Sequence, residues 1–141
     1  MESKCLNYLG LARKAGKAEL GEEPVGAAAR ALHAHLIIVA SDASDHTWRR
    51  AKSYVAGTPQ QCIRVPFTKD EIGFIIGRTS LAMAAITDPA LALSFVKALG
   101  DPQKYAEATA YLEDRVNRLR QRQKEEKAHQ RNLHHGRKKK D

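Results

Sequence analysis

The sequence predicts an α/β fold: a three-layer α/β/α sandwich on a small four-stranded mixed sheet, followed by a C-terminal extension helix and a basic tail. Two observations carry this. Helix-type and strand-type apolar patterns alternate from the N-terminus to Leu99, which implies a sheet with helices on both faces. Charge also separates along the chain. The 141 residues carry a net charge of +8. Residues 115–141 hold 11 basic and 3 acidic residues, while residues 1–114 hold 13 of each sign. The imbalance therefore lies wholly in residues 115–141, and the chain reads as one domain over residues 1–100, a helical extension over 101–128 and a disordered basic tail over 129–141. A chain of this length has room for one domain with its own core.

The elements follow in order. Leu6, Leu9, Leu11 and Ala12 give the apolar face of a first helix that ends near Gly16. Lys17 to Leu20 is a brief extended piece. Gly21-Glu22-Glu23-Pro24 opens a second helix, placing acidic residues and proline where a helix start favours them, and alanine-rich sequence carries it to about Leu32. His35 to Ala40 is short, β-branched and nearly all apolar, which predicts a buried strand. A polar turn leads to a helix over Asp45–Val55, broken by Gly57-Thr58-Pro59. Cys62 to Val65 is a short strand. Thr68 to Glu71 has capping-box spacing and starts a helix to Ile76. After the loop Gly77 to Ser80, Leu81 to Ile86 is another strand. Asp88-Pro89 caps a helix that Gly100 stops, and Asp101-Pro102 starts the last one. In that helix Tyr105, Ala108, Leu112, Val116 and Leu119 form an apolar stripe.

Composition narrows the function classes. A free basic segment attracts polyanions at long range. No apolar run approaches the roughly 20 residues that span a bilayer, so no membrane partner is expected. The N-terminal stretch has no uninterrupted apolar run of the signal-peptide kind, which predicts a cytoplasmic protein. Cys5 and Cys62 stand far apart and read as reduced core thiols.

Catalytic and metal signals are weak. Asp42 and Asp45 flank a serine-containing turn and read as helix caps. His33, His35, His129, His134 and His135 show no ligand spacing with a second Cys/His pair. No catalytic residue, metal or cofactor is expected. Trp48 has two readings, packing against the core and stacking on an RNA base.

Five segments carry a resemblance: LGLARKAGK (Leu9 to Lys17), LGEE (Leu20 to Glu23), LIIVASDAS (Leu36 to Ser44), VPFTKDEIGFIIGR (Val65 to Arg78) and AAITDPALA (Ala84 to Ala92). In this order and spacing, over roughly Leu6 to Leu99, the chain resembles the bacterial YlxQ-like family of the ribosomal L-seven-Ae / L-thirty-e superfamily. The resemblance implies the same sandwich, binding to ribosomal or other structured RNA, often a kink-turn, and no catalysis. It makes the ribosome a candidate partner. Some methyltransferases use this fold to bind substrate, but the chain has no room for their second domain.

In the kink-turn-binding relatives an Asn-Glu pair follows a glycine, with a lysine one turn later. The glycine matches Gly21. The other positions fall on Glu23, Pro24 and Ala27, none of which supplies the same donors. Glu22 and Glu23 have two readings, a helix-start acidic pair and acceptors for base edges. By the resemblance the second RNA-facing element is Gly77 to Ser80, where Arg78, Thr79 and Ser80 suit phosphate and sugar contacts. Arg13, Lys14 and Lys17 are expected at the same end of the sheet as Gly21. A competing reading makes the Tyr105–Leu119 stripe a docking face for a partner helix, and the chain a protein-interaction module.

Overall fold

The computed structural model describes the backbone of residues 2–139 and the side chains of residues 4–132. The elements run α1 (Glu2–Lys14), β1 (Ala18–Leu20), α2 (Glu22–Arg30), β2 (Leu36–Val39), α3 (Asp45–Val55), β3 (Gln61–Arg64), α4 (Lys69–Ile75), β4 (Met83–Ile86), α5 (Pro89–Ala98) and α6 (Ala106–Lys139). This is the predicted α/β fold with a four-stranded mixed sheet.

Strand order is β1-β4-β2-β3. β4 pairs antiparallel with both β1 and β2, and β2 pairs parallel with β3. The parallel pair needs a crossover, which α3 provides. Every residue of β2 and β4 is buried, so both faces of the central sheet are covered. α2 and α3 pack together as one layer; α1, α4, α5 and the start of α6 form the other.

The caps are local chemistry. Thr68 and Glu71 form the capping box, with the Thr68 hydroxyl accepting from Glu71 N–H and the Glu71 carboxylate accepting from Thr68 N–H. Ser44, rather than Asp45, caps α3. Asp42 reaches across to α4 and accepts from Lys69 N–H at 2.8 Å, which ties the β2–α3 turn to α4. Cys5 is buried and donates its thiol to Phe95 O at 3.2 Å, and burial pushes its pKa up to about 12. Cys62 is only half-buried, and both cysteines are free.

Three expectations change. The last helix starts at Ala106, because Asp101 spends its side chain on Lys104 N–H and holds residues 101–105 in a turn. The same helix continues through Lys139 where a disordered segment over 129–141 is expected; residues 140 and 141 lie outside the described residues. Arg, Gln, Lys, Glu and Ala dominate residues 118–131, and these are strong helix formers even without an apolar face. Finally, the stripe is closed to a partner from Tyr105 to Val116, and only its last member, Leu119, is exposed. Tyr105, Ala108, Leu112 and Val116 are buried, and α6 packs on α5 and β3.

That packing also closes an edge. β3 is one of the two outer strands of the sheet. The Tyr105 hydroxyl donates to Arg64 O at 3.2 Å, which satisfies one outward carbonyl of the strand. Further along α6, Tyr111 Oη and His35 Nδ1 share a 2.8 Å hydrogen bond.

Candidate nucleic-acid interface

One end of the sheet gathers three loops. Gly21 N–H donates to Met83 O at 2.9 Å, joining the β1–α2 turn to the start of β4. Ala40 N–H donates to Ala82 O at 2.9 Å, and Leu81 N–H to Lys69 O at 2.9 Å. The start of β4 is thus tied to the Gly21 turn through Met83, to the end of β2 through Ala82 and to α4 through Leu81. Gly21 has φ 98°, the left-handed region where glycine is favoured. It precedes α2 without any side-chain cap.

The Gly77–Ser80 loop is held by α4. Arg78 N–H donates to Gly73 O at 2.8 Å, and Gly73 leaves the space that Ser80 occupies. Arg78, Thr79 and Ser80 are all exposed. Phe74, one turn before the loop, is 84% exposed although it is large and apolar. Its solvent position is a tertiary outcome that no periodicity reveals.

Glu22 and Glu23 open α2 beside this end. Glu22 Oε2 lies 3.3 Å from Arg50 Nη1 of α3, so its charge is paired. Glu23, Pro24 and Ala27 line a groove of about 790 Å³ between α2 and α3, with Arg30, Arg50, Ser53 and Tyr54 on its other walls. Glu23, Pro24 and Ala27, the positions that the resemblance assigns to RNA contact, therefore face a groove edged by arginine. Arg30 and Arg50 were not legible as site residues, because Arg50 meets Glu22 across 28 positions of sequence.

Arg13, Lys14 and Lys17 do not share the Gly21 end. Lys17 N–H donates to Ala12 O at 2.7 Å, and Lys17 O accepts from Thr87 N–H at 2.8 Å. This places the three cations at the far end of β4. The short strand β1 separates Lys17 from Gly21 by four residues, roughly 13 Å of extended chain. A second groove, of about 540 Å³, lies between Lys17 and Thr87 and the side of α2 that carries Pro24 and Ala27. Lys17 lines it; Arg13 and Lys14 do not.

Trp48 is partly buried against the core, as its packing reading has it. The Arg64 guanidinium lies 5.2 Å, and Lys52 Nζ 5.7 Å, from its ring centroid. No helix among the described residues is long and apolar enough to cross a membrane.

The strand order and the two helical layers define a small α/β/α sandwich domain. Over 75 residues the chain is 36% identical to the RNA-binding protein YlxQ of Enterococcus faecium, which covers 53% of this chain and 72% of that relative. The chain belongs to the YlxQ family. Solved structures agree on the fold. A Bacillus halodurans protein of unknown function superposes with a TM-score of 0.64 at 24% identity, covering 70% of this chain and 98% of that one. The Giardia lamblia 15.5kD RNA binding protein superposes with a TM-score of 0.53 at 17% identity, covering 74% of this chain and 87% of its own. No family model matches the chain.

Proposed function

We propose that this chain is a non-catalytic RNA-binding protein of the translation machinery in the cytoplasm, with ribosomal or other structured RNA as its ligand. One observation carries the reading: the Gly21 turn is bonded to Met83 at the start of β4, and the Arg78–Ser80 loop that leads into that strand is anchored on α4 through Arg78 N–H to Gly73 O and Leu81 N–H to Lys69 O, so two segments distant in sequence lie at one end of the sheet. The curated relative that shares 36% identity is itself named for RNA binding.

The chemistry of this end suits shape and backbone recognition. Arg78 offers an exposed cation on an anchored backbone, Thr79 and Ser80 offer hydroxyls, and all three favour phosphate and sugar. Glu23 accepts from base edges or from a ribose 2′-OH. Phe74 presents a ring on which an unpaired base stacks. Arg30 and Lys17 each bring a positive charge to one of the two grooves beside α2, while Arg50 is paired with Glu22. Pro24 and Ala27 remove the donors that kink-turn readers use, so the RNA is read here by a different set of contacts.

Crosslinking in cells, followed by sequencing of the bound RNA, tests the reading. Enrichment of structured RNA, ribosomal RNA included, is the expected result. Recovery of no enriched RNA would remove it.

A further inference from the structure

We propose that the exposed part of α6 is a phosphate-binding arm that lies along the backbone of an RNA duplex through a single ridge of cations. The helix leaves the core at Val116, its last buried residue. Every residue from 117 to 132 is exposed. At 1.5 Å per residue, the segment from 117 to 139 extends roughly 34 Å past the core.

The cations on this segment are not scattered. Arg120, Lys124, Lys127 and Arg131 follow one another at steps of four, three and four. That spacing puts them on one face, within about 60° of arc and about 16 Å of axis. No acidic residue stands three or four positions from any of them. An ordinary solvated helix face alternates its signs to gain such pairs. Here neighbouring cations repel along the ridge, which destabilises the helix until an anion lies against it.

The other side of the same helix shows the ordinary pattern. Arg118 pairs with Asp114 at 2.9 Å, and Arg122 has Glu125 and Glu126 within one turn. Glu125 accepts from Gln121 Nε2 at 3.2 Å. Among the described residues no ridge cation is in an ion pair.

The ridge selects its occupant. An amphipathic helix that lies on a membrane needs an apolar face opposite its cations, and beyond Leu119 the described exposed segment has none. A straight, evenly spaced row of cations matches the fixed phosphate rows of a duplex better than a flexible single strand. The inference takes only the class of ligand from the RNA-binding reading, and makes no use of the Gly21 end.

The test uses the full chain and a generic RNA duplex, with affinity followed from about 50 to 200 mM salt. The ridge pair Lys124→Gln/Lys127→Gln should lower the log–log salt slope by roughly 1.8, the value for two lost phosphate contacts. The opposite pair Arg118→Gln/Arg122→Gln, equal in charge, should lower it by less than half as much. Equal losses would overturn the ridge and leave diffuse attraction. A charge-neutral helix breaker, Gln123→Pro, should also lower the slope. An unchanged slope, with circular dichroism showing the helix lost, would overturn the inference as well. If structured-RNA selectivity fails while the two pairs still differ, the domain reading falls and the arm stands.

Discussion

Gly73 of α4 packs against Ser80 so closely that a Cβ at position 73 would stand 2.6 Å from Ser80 Cα, 2.8 Å from Ser80 N and 2.9 Å from Arg78 O. All three neighbours are backbone, so no side chain can swing aside. Gly73→Ala must displace the loop that carries Arg78, despite the better helix propensity of alanine. The expected loss is about 1–3 kcal/mol of stability, as for overpacking elsewhere, with weaker structured-RNA binding. Urea denaturation checks the first and RNA titration the second; a variant as stable as the parent would refute the close packing.

Phe74 sits beside that loop but outside the core. At 84% exposed, it contributes little to folding. Phe74→Ala should leave the urea midpoint nearly unchanged and weaken binding to an RNA with unpaired bases by roughly 1–3 kcal/mol, the range for one stacked base. Phe74→Trp should keep the affinity and show fluorescence quenching on binding. Full affinity in Phe74→Ala would take the ring out of the site.

Leu112 tests where the α6 stripe belongs. It is fully buried at the α6 packing surface. Leu112→Ala should cost about 2–5 kcal/mol, the range for emptying a core leucine site. A docking face for a partner helix would instead tolerate the change in the isolated protein, as thermal denaturation would show.

His35 gives the fold a pH dependence. Its pKa is held below the ordinary 6.5, first by burial and then by Arg115 and His33, with Asp88 pulling the other way. The unfolded chain therefore binds the proton more readily than the folded one. Stability from neutral His35 is complete above 6.5 and is lost as pH falls through the folded value. Denaturation midpoints at pH 7.5 and 5.5 should differ in the parent, with the lower midpoint at 5.5. The difference should shrink in His35→Asn. A pH response of equal size in both would assign it to other groups.

Much of the fold was legible because its signals are local. The capping box at Thr68 and Glu71 depends on residues three apart, and α3 falls on Asp45–Val55 as its pattern predicts. The site was less legible because it is tertiary. Lys17 and Gly21 look adjacent in sequence, yet a three-residue strand carries them to opposite ends of β4. Arg50 joins Glu22 only through the packing of α3 on α2. The distal part of α6 is not legible because it lacks an apolar face, and helix propensity carries the backbone on without one.

Selective RNA binding by the Gly21 end is the central claim, and a paired titration tests it most directly. The full chain is titrated with a structured ribosomal RNA fragment and with a generic duplex of equal length, at about 200 mM salt so that the arm's contribution is reduced. The structured RNA should bind at least about tenfold tighter, and Arg78→Ala should remove most of that difference, since a charged hydrogen bond is worth about a factor of ten or more. Equal affinity for the two RNAs, or a preference that survives Arg78→Ala intact, would contradict it.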